Sequence, residues 1–342
     1  SGSKGEKPQV TYESYFGIQE PWKHMALLNA EEYAILMNES RSAAGLAPLA
    51  ALGNPNALGE GFDWQDAIFQ RAPMMNHSFS FTKGTKTTST AVGGSYFTQD
   101  GIIGGEKGRF ERYTFRINTR QDGGDRFRMG PNVNFTHLNR SALAENNEFA
   151  TPVGRALNMD PITTAQRPDG SYAYSEFIDS DIANPVNQIA LNNDFWTTNR
   201  FVGSTFAEFD INSNLTFRST MSVDLALGSQ RIFYPSYDLG IEPNDPNRPA
   251  YEFREVNSLV LGENKWSNWQ WENTLNYAKQ LKNGDDLQVI AGYSALNNMN
   301  TSFYGSRDSL ASNDVLFAYL SNSMNNSEQT PTANGGISES AF

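Results

Sequence analysis

The 342-residue sequence predicts an all-β protein, a partial transmembrane antiparallel β-barrel of about nine strands with long, partly helical extracellular loops. Three observations predict this fold class: long segments alternate between apolar and polar side chains, short turns alternate with long insertions, and 12% of the residues are aromatic. Strands of about 9–11 tilted residues cross a membrane, and only alternate side chains then face lipid. The mean hydropathy of −0.54 is therefore compatible with a membrane protein.

The alternation is clearest between Phe110 and His137. In the first half of this segment, Tyr113, Phe115 and Ile117 are apolar and the residues between them are polar or basic. After the turn Asp122-Gly123-Gly124-Asp125 the same split resumes, with apolar side chains at Phe127, Met129, Val133 and Phe135. Period-two alternation of this length predicts a hairpin with one apolar face and one polar face.

Seven further strands follow from the same pattern. They are predicted at Gln9–Gly17, His77–Thr82, Thr88–Thr98, Arg200–Ile211, Leu215–Leu227, Trp269–Ala278 and Leu287–Tyr293. Turn-favouring tetrapeptides or tripeptides join the members of each pair, as in Asn212-Ser213-Asn214 and Lys282-Asn283-Gly284-Asp285. The glycine-rich segment Gly101–Gly105 is read as a hairpin loop, because it lacks the lysine and the strand-to-helix context of a phosphate-binding loop.

Four long segments, residues 18–74, 138–194, 228–264 and 300–342, are predicted to be outer loops. They hold 25 acidic and 10 basic residues, so the net charge of −12 is a property of the loops. This acidity fits either a solvated surface or cation binding at the rim, and the chain shows no basic domain that would bind nucleic acid. Helices are expected inside the loops at Ala30–Ala44, from Asp63 through Ala72, and from Pro152 onward, because capping or first-turn residues begin each one.

The search for catalytic chemistry finds no candidate, so we predict that the protein is not an enzyme and has no catalytic residues. Cysteine is absent, and the three histidines lie in separate segments without metal-ligand spacing, so no metal ligand or cofactor is predicted. Asn244-Asp245-Pro246-Asn247 fits a turn, with calcium binding in this outer loop as the alternative.

Several segments resemble, in order, the SusC/RagA-type TonB-dependent outer-membrane transporter family. The resemblance is carried by Leu27–Tyr33, Trp64–Phe69, Asn76–Phe81, Gly94–Ile103, Arg109–Asn118, Asn273–Tyr277 and Ala291–Tyr293. Ser1–Gly5 followed by Gln9–Tyr12 is similar to the family's junction between the plug domain and the first barrel strand.

This resemblance implies a nutrient importer of the bacterial cell outer membrane, of Bacteroidetes type, with a presumed 22-stranded barrel. Residues 1–342 are then the amino-terminal portion of that barrel, with the plug domain and the remaining strands absent from this chain. Residues 335–341 do not alternate, so we expect the chain to finish in an outer loop. The implied partners are the remainder of the same barrel and its plug, TonB acting through the plug region, a SusD-like surface lipoprotein in a SusCD complex, an oligosaccharide or peptide substrate, and membrane lipid or lipopolysaccharide.

The candidate site residues form two groups. The first should face the lumen and the plug, where water and polar groups satisfy their charges; it consists of Arg112, Arg116, Arg120, Arg126, Arg128 and Arg218. The second comprises aromatic residues assigned to outer loops, which could contact substrate or the lipoprotein lid or simply pack within the loops: Trp22, Trp64, Trp196, Tyr234 and Tyr237. The alternative functions are a passive outer-membrane adhesin or structural barrel, and a soluble β-rich carbohydrate-binding module.

Overall fold

Ten strands form one antiparallel sheet in which each strand pairs with the strands next to it in chain order, apart from a two-residue ribbon in an outer loop. The computed structural model describes residues 7–145, 150–178, 182–239 and 253–324, and the backbone of residues 334–341. This up-and-down sheet confirms the predicted all-β class and the partial barrel.

The strands, in chain order, have the following bounds. They are β1 (Gln9–Gln19), β2 (Ala72–Gly84), β3 (Thr88–Gly101), β4 (Gly105–Asp122), β5 (Phe127–Ser141), β6 (Asp194–Asn212), β7 (Leu215–Tyr234), β8 (Tyr237–Asp238), β9 (Phe253–Arg254), β10 (Ser258–Gln280), β11 (Asp286–Asp308) and β12 (Asn334–Ala341). The ribbon is β8 with β9, and the other ten strands make the sheet. Short connections join the strands at one rim. Long loops join them at the other rim, except that residues 102–104 make a short turn between β3 and β4.

The nine predicted strands are present, and most extend further toward the long loops than alternation indicated. β10 and β11 each have 23 residues, so both extend well beyond the length that crosses a bilayer. Alternation weakens toward the long-loop rim, because both faces of a strand can contact water or loops there. Parts of the predicted loops 228–264 and 300–342 are therefore strand.

β12 corrects the assignment of residues 335–341 to a loop. Its backbone pairs antiparallel with β11, from Asn334 opposite Tyr304 to Ala341 opposite Asn297. Pairing of this kind uses main-chain N–H and C=O groups, so it does not require alternating side chains. Periodicity alone therefore missed this strand.

The register places the apolar side chains of the long strands on one face of the sheet. Residues directly opposite in an antiparallel pair point to the same side. A row of directly opposed residues crosses seven strands, β1 to β7, and consists of Tyr12, Phe79, Gly94, Phe115, Phe135, Phe201 and Leu225. Many large apolar side chains on this face are exposed, including Phe115, Phe135 and Leu225.

Four short α-helices lie in the outer loops: α1 (Ala30–Ala43), α2 (Trp64–Ile68), α3 (Pro152–Asn158) and α4 (Pro185–Ala190). Asn29 and Glu32 form the predicted capping box of α1, and α3 begins at Pro152 as expected. Every helix among the described residues is too short or too polar to pass through a bilayer.

Two details of these helices differ from the sequence prediction. α2 ends at Ile68 rather than Ala72, because Phe69 forms an extended bridge with Ile103 and Ala72 already begins β2. α4 was not predicted, although Asn184 caps it and Pro185 occupies its first turn, which is a recognisable start signal.

The long loops are ordered by two apolar clusters. The first joins the loop after β1 to the loop after β5, through Trp64, Ile68, Ala156, Met159 and Ile182. The second packs the segment after β11 against the outer ends of β7 and β10, through Phe233, Leu259, Leu310 and Ala318. The outer rim is therefore a packed layer over the described strands.

Candidate functional site

The face of the sheet opposite the apolar side chains is lined by arginine, asparagine, serine, threonine and carboxylate side chains. It contains two hollows, of about 460 Å³ and 200 Å³. The larger hollow is lined on this face by small polar side chains, among them Asn132, Asn134, Ser204, Ser222 and Asn268. Gly93, Ser95 and Ser78 line the smaller hollow beside Arg116.

Arg128 lies at the centre of an ion-pair network on this polar face. Its guanidinium donates two hydrogen bonds to Asp210, at 2.6 Å and 2.5 Å, and one to Glu208 at 2.5 Å. Thr216 Oγ1 donates to Asp210 Oδ1 at 2.8 Å, and Arg218 Nη1 lies 3.4 Å from Glu208 Oε2. These contacts join β5, β6 and β7 near their short-turn rim.

A second cross-strand ion pair was not identified from the sequence. Arg200 on β6 donates to both oxygens of Asp224 on β7, at 2.8 Å and 2.6 Å. Both residues occupy the polar parity of their strands. The alternation therefore indicated the face on which both residues lie. Their ion pair depends on the register between β6 and β7, which alternation does not determine.

Three arginines of β4 differ from this paired group. Arg112, Arg116 and Arg120 are exposed and make no ion pair within the described residues. They are four residues apart along the strand, so all three lie on the polar face. Arg112 lies over the ring of Phe97, with its guanidinium carbon 5.6 Å from the centroid. We call these three residues the β4 arginine row.

Arg126 lies at the entry to β5. It lies in the turn between β4 and β5, one residue before β5 begins, and its carbonyl accepts a hydrogen bond from Asp210 N at 2.8 Å. Arg126 therefore lies at the short-turn rim of the sheet.

The predicted loop aromatics do not form one site. Trp22 is 98% exposed, whereas Trp64 is buried in α2 and donates from Nε1 to the Asp160 carbonyl at 2.7 Å. Trp64 therefore packs the interior of the loops. Trp196 is not in a loop, because it is the third residue of β6, and the Arg140 guanidinium lies 5.4 Å from its ring centroid.

Tyr234 and Tyr237 are brought together at a cavity of about 310 Å³ beneath the outer loops. Tyr234 is the last residue of β7 rather than a loop residue, and the Arg254 guanidinium lies 4.7 Å from its ring centroid. Arg155 of α3 also lines the cavity, and burial lowers the pKa of its guanidinium. Sequence reasoning identified the two tyrosines but neither arginine.

The three histidines make separate local contacts. Oη of Tyr12 and Nδ1 of His77 are 2.7 Å apart, and His137 Nδ1 is 2.8 Å from Asn199 Oδ1, so both join neighbouring strands. His24 Nδ1 lies 3.4 Å from Asp66 Oδ1 in the first long loop. The calcium candidate, Asn244-Asp245-Pro246-Asn247, lies outside the described residues.

An antiparallel sheet of long strands with one predominantly apolar face, one polar face with hollows, and packed loops at one rim defines the wall of a membrane barrel. The comparisons with known proteins point to a particular family of such barrels, although no family model matches the chain.

Among curated proteins, the sequence is similar to TonB-dependent receptors. It is 26% identical over 297 residues to TonB-dependent receptor P26 of Formosa agariphila. The aligned region covers 86% of this chain and 28% of the relative. It is 24% identical over 268 residues to TonB-dependent receptor SusC of Bacteroides thetaiotaomicron, covering 70% of this chain and 25% of SusC. The chain thus spans less than a third of the length of these curated relatives.

Among solved structures, the fold is similar to RagAB. The RagAB peptide importer in its open-open state superposes with a TM-score of 0.79 at 16% identity, over 99% of this chain and 39% of that chain. A second RagAB peptide transporter structure gives a TM-score of 0.77. At this identity the likeness establishes the fold.

Sequence and fold together confirm the predicted resemblance to the SusC/RagA-type TonB-dependent transporters. The matched relatives are named as receptors and transporters, which agrees with the prediction of a protein without catalytic residues.

Proposed function

We propose that this chain is the amino-terminal part of the barrel of a TonB-driven importer in the bacterial outer membrane. The observation that carries the proposal is the predominantly apolar face of the sheet, opposite a polar face, in a chain homologous to TonB-dependent receptors. Lipid would contact the apolar face and the transported molecule would pass along the polar one. Energy for transport would come through TonB and a plug contributed by parts of the protein outside these residues.

The transported molecule is proposed to be an oligosaccharide or a peptide. The solved relative is named a peptide importer, and the hollows of the polar face are lined largely by amide and hydroxyl groups. Such groups donate and accept hydrogen bonds, which suits peptide bonds and sugar hydroxyls alike.

A SusD-like surface lipoprotein is proposed as the partner at the outer rim. Large apolar side chains are exposed there on two separate loops, with Trp22 98%, Leu316 72% and Phe317 57% exposed. Exposed apolar patches on a protein surface commonly mark interaction sites. A lipoprotein lid over this rim would cover these side chains.

The β4 arginine row is proposed to contact carboxylates of the plug. Its members are spaced along the strand by four residues, about 13 Å, and lack carboxylate partners within the described residues. The Arg128 network, by contrast, is already paired within the sheet. The positive charges of the β4 arginine row are therefore free to pair with an acidic surface that enters the lumen.

Growth experiments test transport directly. In a strain lacking the full-length protein, we expect lost growth on one oligosaccharide or on a peptide mixture, restored by the wild-type gene and not restored when TonB is depleted. Unchanged growth on every substrate, with the protein present in the outer membrane, would instead support a passive adhesin or structural barrel. Release of the full-length protein without detergent would support a soluble carbohydrate-binding module.

Charge reversal tests the arginine row. Arg116→Glu in the full-length protein should reduce uptake while leaving membrane insertion intact, because it places a carboxylate against the proposed acidic plug surface. Arg116→Lys, which keeps the charge, is the matched control. Equal uptake by the two variants would show that the row makes no required charge contact.

A further inference from the structure

Three side chains with metal-binding atoms converge in the first long loop, away from the sheet. They are His24, in the extended segment after β1, and Asp63 and Asp66, at the start of α2. Their ligand atoms all lie within 4.8 Å of one another, so small side-chain movements would bring all three onto a single cation. His24 is distant in sequence from the two aspartates, and no metal-ligand spacing predicted their approach.

Hydrogen bonds hold the two segments together beside the cluster. Gln65, which is buried, donates from Nε2 to the Met25 carbonyl at 2.9 Å and accepts from Met25 N at 2.7 Å. This pair of bonds fixes the residue next to His24 against α2. The His24 ring is also stacked on Phe69, with centroids 5.3 Å apart.

The two carboxylates have different local roles. Asp63 uses Oδ1 to cap α2, accepting from Gln65 N and Asp66 N at 2.8 Å and 3.1 Å, so Oδ2 can still bind a cation. Asp66 points its Oδ1 toward His24 Nδ1. The cap holds Asp63 in place, while Asp66 and His24 remain accessible from solvent.

We propose that His24, Asp63 and Asp66 bind a zinc ion. One imidazole nitrogen and two carboxylate oxygens are ligand types that zinc accepts, and three protein ligands leave a fourth position for water or for a group from another molecule. Calcium is a poorer fit, because it takes six to eight oxygen ligands and does not select imidazole. The bound ion would link the start of the first long loop to α2.

The proposal does not depend on transport. It concerns the loop alone and can be tested by metal binding to the full-length protein. Zinc at this position would cross-link the loop that also carries Trp22 and would make the outer rim more rigid.

The test measures zinc binding by isothermal titration calorimetry to the full-length protein in detergent after treatment with EDTA. We expect wild type to bind one zinc ion more than His24→Gln, or to bind it at least about tenfold more tightly. Asp66→Asn and Asp63→Asn should weaken zinc binding in the same way. Because asparagine also caps helices, Asp63→Asn should weaken zinc binding without unfolding α2. His77→Gln and Asp169→Asn are controls that should bind as wild type does.

A rescue variant guards against loss of folding. The chain has no cysteine, so His24→Cys introduces a single thiolate, which is also a zinc ligand, and should retain binding that His24→Gln loses. Equal zinc binding by wild type and His24→Gln would overturn the proposal. Competition by calcium at a concentration comparable to zinc would also overturn it, since that result describes a purely carboxylate site.

Discussion

At the scale of single residues, the arginines of the polar face divide into two classes. Arg128, Arg200 and Arg218 have carboxylate partners on neighbouring strands, whereas the β4 arginine row has none within the described residues. Alternation alone predicted that the six selected arginines share one face. It could not predict their partners, because a partner is set by the register of another strand.

Loss of Arg128 should destabilise the barrel. Arg128→Ala removes the guanidinium that bridges Glu208 and Asp210 and leaves Arg218 beside Glu208 only. Because these side chains are about one-fifth exposed to solvent, we expect the free energy of unfolding to fall by about 1 kcal/mol. The measurement is the urea midpoint of the full-length protein in detergent. Lys86→Ala, in an exposed turn, is the control and should leave the midpoint unchanged; a matching decrease in both would contradict a specific role for the network.

Tyr33 gives a prediction for alkaline pH. Burial, with a smaller contribution from the charge of Asp160, raises the pKa of Tyr33 to about 12. A tyrosine in an unfolded loop ionises near pH 10, so the stability that Tyr33 contributes is present below pH 10 and is lost as the pH rises toward 12. The fluorescence of nearby Trp64 should report this loosening of the first loop. Tyr33→Phe should remove this part of the pH dependence, and an identical profile in the variant would refute it.

At the scale of elements, the first and second long loops, after β1 and after β5, are held together by close main-chain approach as well as by the Trp64 cluster. Gly61 has a φ of +79°, and a Cβ there would lie 2.3 Å from the Pro161 carbonyl oxygen and 2.6 Å from the Ala30 Cβ. Phe62 N also donates to the Pro161 carbonyl at 2.7 Å. The contact between the loops therefore requires glycine for two reasons, conformation and space.

Gly61→Ala should separate these loops. Gly59→Ala is the matched control, because Gly59 also has a positive φ, of +62°, but a Cβ there meets nothing within 4 Å. We expect Gly61→Ala to reduce local stability by about 1–3 kcal/mol more than Gly59→Ala does, because the new Cβ at position 61 would overlap its neighbours. Limited proteolysis of the outer loops would measure the difference, and equal cleavage of both variants would show that strain alone matters at these glycines.

The helices illustrate what local sequence signals can predict. The capping box of α1 and the Thr151-Pro152 start of α3 depend on residues within one turn, and both were predicted. The end of α2 depends on a bridge to Ile103, which is distant in sequence, and it was placed four residues too late. Local chemistry starts these helices, while tertiary pairing decides where α2 stops.

At the scale of the whole molecule, the proposed orientation of the sheet in the membrane follows from its two faces. Val223 lies on the apolar face opposite Trp269, and Thr220 lies on the polar face opposite Glu272. Val223→Arg in the full-length protein should cost about 2–4 kcal/mol if this position is near the bilayer centre, and should reduce the amount of folded protein in the outer membrane. Thr220→Arg should be tolerated. Heat-modifiable mobility on gels measures the folded fraction, and equal tolerance of both substitutions would contradict the proposed orientation.

The sequence by itself determined the fold class, the nine alternating strands, the two faces of the sheet and the family resemblance. These properties depend on side-chain periodicity and short motifs, both of which can be read along a single chain. The tertiary structure decided the strand register, and with it the ion pairs of Arg128 and Arg200, the addition of β12, the cavity that joins Tyr234 to Arg254, and the approach of His24 to Asp63 and Asp66. Each of these depends on contacts between residues distant in sequence, whose positions are fixed only when the strands pair and the loops pack together.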